Sequence, residues 1–141
     1  MSNVTRNRLG NCHNRFQGDS VRVLCVCSAG LLRSPTMARV LTRDFDNVNP
    51  RAVGSTADFA LIPIDQVHLE WADLILCADV LVADVVEGLL ADFDLDKPIV
   101  DMSIQDDFGF ADPILEDKIR NKLALITKPG REFQFVEPKV D

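Results

Sequence analysis

Residues 21–35 read VRVLCVCSAGLLRSP, an apolar run that breaks off into a small-residue loop closed by Arg33, Ser34 and Pro35. Val21, Val23, Leu24, Cys25 and Val26 are β-branched or apolar with almost no polar interruption, which suits a strand covered on both faces in a parallel sheet. The run ends abruptly at Cys27. Ser28, Ala29, Gly30, Leu31 and Leu32 follow before Arg33, so a thiol and a guanidinium bracket five residues, the first of them small enough to curl tightly. Ser34 and Pro35 are predicted to open a helix, because Ser suits a helix start and Pro is tolerated in a first turn.

A strand, loop and helix of this kind can cradle an anion. The curled loop turns successive backbone N–H groups inward, and the helix behind it adds its own free N–H groups and the positive end of its dipole. A phosphate fits such a cradle. Cys27 at its base would be held as thiolate by the same N–H groups and by Arg33, and so be nucleophilic at neutral pH. Arg33 offers a planar fork that binds two phosphate oxygens at once. Ser34 is placed to hydrogen-bond the thiolate and help it leave in a second step.

Cysteine, five residues, arginine and serine after the first strand resemble the low-molecular-weight protein tyrosine phosphatases, in particular a shorter bacterial or phage-type branch. Gly54-Ser55-Thr56, the run from Trp71 to Asp79 (WADLILCAD) and Asp112-Pro113 are similar to family landmarks and occur in family order. The resemblance covers residues 21–127. It implies a phosphomonoesterase without cofactor or metal, acting on a phosphotyrosine-containing protein or a small aryl phosphate through a phosphocysteine. Cys27 would be the nucleophile, Arg33 and the loop from Ser28 through Ala29, Gly30, Leu31 and Leu32 to Ser34 the phosphate site, and Asp112 the general acid. The chain departs from the family pattern in three places, at five positions. Ala29 and Gly30 stand where a glycine and an asparagine are usual, Leu32 replaces a second loop cysteine, and Ile114 and Leu115 replace an aromatic pair after the aspartate-proline.

At 141 residues and 47% hydrophobic content the chain is expected to form one domain with its own core. No run of 18 apolar residues occurs and the first residues are too polar for a signal peptide, so a cytoplasmic protein with no membrane partner is expected. Cys12, Cys25, Cys27 and Cys77 lack the paired spacing of zinc sites, and a disulfide framework does not suit a reducing compartment. The net charge of −7 argues against nucleic acid as a partner. Within residues 1–22, Arg6, Arg8, Arg15 and Arg22 face Asp19 alone, a local balance of +3. An anionic substrate must therefore be drawn by the loop amides and Arg33.

Along the chain, residues 1–20 are rich in Asn, Arg, Ser and Gly without period and are expected to form a flexible extension. Residues 36–45 carry Met37, Val40, Leu41 and Phe45 at helical spacing. A turn over 47–50, a short strand over 52–55, a short helix over 64–71 begun by Pro63, and a strand over 73–78 follow. Residues 80–90 are apolar nearly all round and predict a well-buried helix. A fourth strand over 99–102, an acidic and aromatic loop over 103–111, and a helix over 113–127 with Ile114, Leu115, Ile119 and Leu123 inward complete the domain. Residues 128–141 form a tail with no evident place. Strands alternating with helices predict a single three-layer α/β domain with a four-stranded parallel sheet and its phosphate loop after strand 1. Ligands in such sheets bind beyond the carboxyl ends of the strands, where Cys27 would lie.

Plainer roles compete at each site. Cys25 and Cys77 fit packing, as strand cysteines usually do. Asp112 before Pro113 caps a helix as readily as it donates a proton, and Asp106 and Asp107 rival it as the acid. Asp79, Ser55 and Thr56 fit loop supports or caps, His68 a structural role, and Trp71 the core. Phe108 and Phe110 belong either to the core or to a substrate rim. Two rivals to the phosphatase reading remain: a module that holds phosphate without turnover, and arsenate reduction, for which the chain has no relay cysteine beyond Cys77.

Overall fold

The computed structural model describes residues 20–56, 58, 60–105 and 109–137. The predicted flexible extension, apart from Ser20, lies outside the described residues. The elements run β1 (Val21–Cys27), α1 (Arg33–Asp44), β2 (Val48–Gly54), α2 (Gln66–Trp71), β3 (Leu74–Cys77), α3 (Val80–Asp92), β4 (Ile99–Asp101) and α4 (Pro113–Ile126). The strands form one parallel sheet in the order β2-β1-β3-β4, as the alternation predicted.

β1 is central because both of its faces are apolar. Val23, Cys25 and Cys27 join Met37, Val40 and Leu41 of α1 and Leu115, Ile119 and Leu123 of α4 on one side. Leu24 and Val26 join Trp71, Val82, Val86 and Leu90 on the other. A strand buried on both faces cannot alternate polar with apolar, which is why the run 21–27 is unbroken. The chain leaves β1 for β2 on one flank and returns to β3 on the other, so the switch in strand order falls at β1 and β3. Among the described residues no helix is long and apolar enough to cross a membrane.

Several predicted elements are corrected. The turn over 47–50 is strand: β2 begins at Val48 and pairs with β1 from Val21 onward. Pro50, which argued against a strand there, is tolerated because β2 is at the sheet edge. α2 is begun by Asp65, whose carboxylate accepts the N–H of His68, and Pro63 instead lies beside Gly54 as an extra bridge of the sheet. α3 is half exposed: Val82, Ala83, Val86 and Leu90 are buried, but Val80, Leu81 and Val85 face outward. Ile114 also points to solvent, at the start of α4, while Leu115, Ile119, Leu123 and Ile126 turn inward.

Residues 128–137, given no place by periodicity, fold back onto the core. Phe133 is buried and meets Phe45 edge to face at 5.1 Å between centroids. The Asn47 side chain accepts the Phe133 N–H at 2.6 Å and donates to its carbonyl at 3.2 Å, and Thr127 pairs with Phe135. One side-chain amide thus stands in for a strand partner.

Candidate active site

Cys27 is the last residue of β1, and its side chain lies under the loop that follows, 3% exposed. The loop is curled by bonds from the segment after β2. Ser55 N–H donates to the Cys27 carbonyl at 2.8 Å, Thr56 N–H to that of Ser28 at 3.0 Å, and Leu61 N–H to that of Ala29 at 3.1 Å. With three successive carbonyls held on one side, the loop closes over the thiol, and Gly30 N–H donates to Cys27 Sγ at 3.2 Å.

Two glycines make this closure possible. Gly30 has φ +74°, a left-handed conformation that L side chains adopt at a cost, and a Cβ there would lie 2.9 Å from Gly54 N. A Cβ on Gly54 would lie 2.7 Å from the Ala29 carbonyl carbon and 2.8 Å from the Ser28 oxygen. Gly30 therefore supplies the turn at the position where the family pattern has asparagine, itself a residue tolerant of positive φ.

Ser34 does not cap α1. The helix begins one residue earlier, at Arg33, with Leu32 at its N-cap and no side-chain cap. Ser34 Oγ instead donates to the Val53 carbonyl at 3.2 Å and lies 3.2 Å from Cys27 Sγ, so its one proton can turn to the carbonyl or to the sulfur but not to both at once.

Arg33 is buried, 2% exposed. Its Nη1 donates to Asp79 Oδ2 at 2.7 Å and to the Ile104 carbonyl at 2.9 Å, and Nη2 reaches Ser28 Oγ at 3.4 Å. A cation at a helix N-terminus runs against the dipole and calls for an anion, and here Asp79 is that anion. The other Asp79 oxygen accepts Val82 N–H and caps α3. Burial alone would raise the Asp79 pKa, but the Arg33 hydrogen bond, the Val82 N–H and the guanidinium charge together hold it below the ordinary carboxylate value. The thiol, the guanidinium and its carboxylate sit at the carboxyl ends of β1 and β3, at the switch in strand order.

Asp112 caps α4, its Oδ1 accepting Ile114 N–H at 2.8 Å. The preceding Ala111 donates to Thr36 Oγ1 at 3.0 Å, and Thr36 Oγ1 donates to the Leu32 carbonyl at 2.6 Å. This chain of bonds ties the aspartate-proline turn to the end of the loop between β1 and α1. Phe110 is exposed and lies over α1 beside Pro35. Phe108, Asp106 and Asp107 lie outside the described residues.

The remaining candidates are structural. Burial raises the Cys25 thiol far above its ordinary value, reinforced by Cys27 and Cys77, and burial together with Asp101, Glu87 and Asp79 pushes Cys77 up to about 12. Trp71 is buried beneath the Arg51 guanidinium, 4.4 Å from its ring. His68 Nδ1 accepts the Asp65 N–H at 3.1 Å, completing a capping box at the start of α2. The same Nδ1 lies 3.1 Å from Asp65 Oδ1, but as an acceptor it carries no proton, so the contact is not an ion pair. Sequence reasoning missed the Ile104 carbonyl and Thr36. A backbone acceptor 71 residues from its donor leaves no signal in composition or spacing.

No family model matches the chain, and no curated protein matches it. Two solved structures do. A YwlE mutant from Bacillus subtilis superposes with a TM-score of 0.52 at 19% identity, over 73% of this chain and 91% of the other. The YwlE arginine phosphatase from Geobacillus stearothermophilus gives 0.50 at 18%, over 72% and 85%. Both neighbours belong to the low-molecular-weight protein tyrosine phosphatase family, and the fold of this chain is the fold of that family.

Proposed function

We propose that this chain is a cysteine-dependent phosphomonoesterase acting on phosphotyrosine in proteins or on small aryl phosphates. The observation that carries the reading is the thiol at the base of the loop, 3.2 Å from both Gly30 N and Ser34 Oγ, with the Arg33 guanidinium anchored at the helix start behind it. In the proposed reaction Cys27 Sγ attacks phosphorus while the bond to the phenolic oxygen breaks. Arg33 and the loop N–H groups bind the phosphoryl oxygens, and Asp112 gives its proton to the departing oxygen. Water then attacks the phosphocysteine, Asp112 takes its proton, and Sγ leaves as thiolate with Ser34 donating to it. Asp79 is a positioning residue for Arg33. Around the loop, Leu31 and Leu32 are exposed, and so is Leu61, whose N–H holds the Ala29 carbonyl. An apolar collar of this kind favours an aromatic leaving group.

A second reading, phosphoarginine as substrate, is favoured by the name of the Geobacillus neighbour. Turnover of phosphotyrosine and phosphoarginine peptides, measured side by side with a nitrophenyl phosphate, decides between them. Hydrolysis of the aryl phosphate and phosphotyrosine, abolished in Cys27→Ser, is the expected result. Preference for phosphoarginine moves the assignment to the second reading, and phosphate binding without turnover of any substrate overturns both.

A further inference from the structure

A groove of about 640 Å³ lies between α1 and the edge strand β2. Pro35, Ala38, Pro50 and Ala52 line it, Phe110 walls the end nearest the loop, and Arg39 and Arg43 stand further along it. Pro50 and Ala52 belong to the edge strand β2, so this flank of the sheet carries no further strand among the described residues. Two arginines in one groove are notable on a chain of net charge −7. They share a single carboxylate: Arg39 Nε lies 3.2 Å and Arg43 Nη1 3.8 Å from the same Glu116 oxygen, and Glu116 is only 13% exposed. Each guanidinium has five N–H donors, so one shared oxygen leaves donors on both to face the groove.

We propose that this groove receives acidic residues of a polypeptide substrate, alongside the phosphorylated residue held by the loop. The proposal rests on the phosphomonoesterase reading of that loop. Continuity and charge together choose the occupant. Pro35, which lines the groove, is two residues beyond Arg33, so the groove begins beside the end of the loop. Arg39 and Arg43 then lie about 9 and about 15 Å along the helix axis from Arg33, at about 1.5 Å per residue. An extended peptide advances about 3.3 Å per residue. The two arginines are therefore met about three and about five residues from the phosphorylated position.

Paired phosphotyrosine peptides test this, with glutamates three and five residues to one side of the phosphotyrosine or to the other, each against its glutamine counterpart. For one of the two placements, the wild type at low salt should favour glutamate by about 3- to 10-fold in kcat/KM, as expected for two exposed charge contacts. The preference should shrink at high salt and fall to about one in the Arg39→Gln/Arg43→Gln double variant. Equal rates for glutamate and glutamine peptides in both placements, or a preference that survives the double variant, would overturn the groove assignment. Nitrophenyl phosphate turnover reports separately on the phosphomonoesterase reading. The Cys27→Ser variant, which needs no turnover, gives the same comparison as peptide affinity, so failure of the chemistry leaves the groove measurable.

Discussion

Asp79 Oδ2 accepts Arg33 Nη1 at 2.7 Å while Asp79 Oδ1 caps α3 through Val82 N–H. One carboxylate thus joins the start of α1 to the start of α3 across the end of the sheet, and the buried guanidinium has its orientation set before any substrate arrives. Asp79→Asn separates the two duties, since asparagine caps as well as aspartate but carries no charge. The variant should lose about 1–3 kcal/mol of stability, because a buried cation loses its counter-ion. Turnover should fall, and inorganic phosphate should raise the melting temperature more in the variant than in the wild type, as an anion in the loop takes over part of the compensation. Equal phosphate-induced shifts would place Asp79 outside the site.

Asp112 holds a cap already visible in its 2.8 Å bond from Ile114 N–H. Asp112→Asn preserves that bond and removes the proton. As the acid, it should cost about 10²–10⁴ in rate with phosphotyrosine, whose phenol has a pKa of about 10, and far less with a nitrophenyl ester that leaves readily as its anion. Equal losses for both substrates would leave Asp112 with the cap alone.

Glycine substitutions should sort by what surrounds them. Gly54→Ala drives a methyl to within 2.7 Å of the Ala29 carbonyl carbon and should destabilise by about 1–3 kcal/mol while disturbing phosphate binding. Gly88→Ala, inside α3 with nothing within 4 Å, should stabilise by about 0.5–1 kcal/mol. Denaturant midpoints of the two variants should move in opposite directions.

His68 links stability to mild acid. Burial lowers its pKa, opposed by Asp65 and helped by Arg51. The unfolded chain therefore takes up a proton first, and stability should decline as pH falls through about 6.5, the unfolded value, toward the lower folded one. Asp79 and Asp73, both held low by arginine hydrogen bonds, add their losses further down, as pH falls from the ordinary carboxylate value toward their lower folded ones. His68→Gln keeps the reciprocal cap, since Gln serves the same position in capping boxes, and should flatten the melting-temperature profile between about pH 5 and 6.5. An unchanged profile would remove His68 from the acid response.

Phe133 tests the return of the segment after α4. Phe133→Ala should cost about 3–5 kcal/mol, read from the denaturation midpoint, because the ring is buried against Phe45 and the core of α1 and α4. A loss below about 1 kcal/mol would mean that the segment only lies on the surface.

The order of β1, loop and α1, the alternation of strands and helices, and the loop bracketed by Cys27 and Arg33 were all legible in the residues. Each rests on local physics: an unbroken β-branched run, small residues able to curl, a helical period. Where local signals conflict with partners, the tertiary structure decided. Val48 and Asn49 became strand because β1 offered them a ladder, and Pro50 was harmless because, among the described residues, β2 has no outer neighbour. Val80, Leu81 and Val85 are as apolar as the buried residues of α3, so composition did not say which side of the helix meets the sheet. Residues 128–137 have no period of their own and were placed by Asn47 and Phe45, some 85 residues earlier in the chain. The pairing of Arg33 with Asp79 joins residues 46 apart, and that with the Ile104 carbonyl joins residues 71 apart. Such contacts exist only once the sheet has brought the ends of β1 and β3 together, since side chains that far apart in sequence carry no mark of each other until the backbone between them is folded.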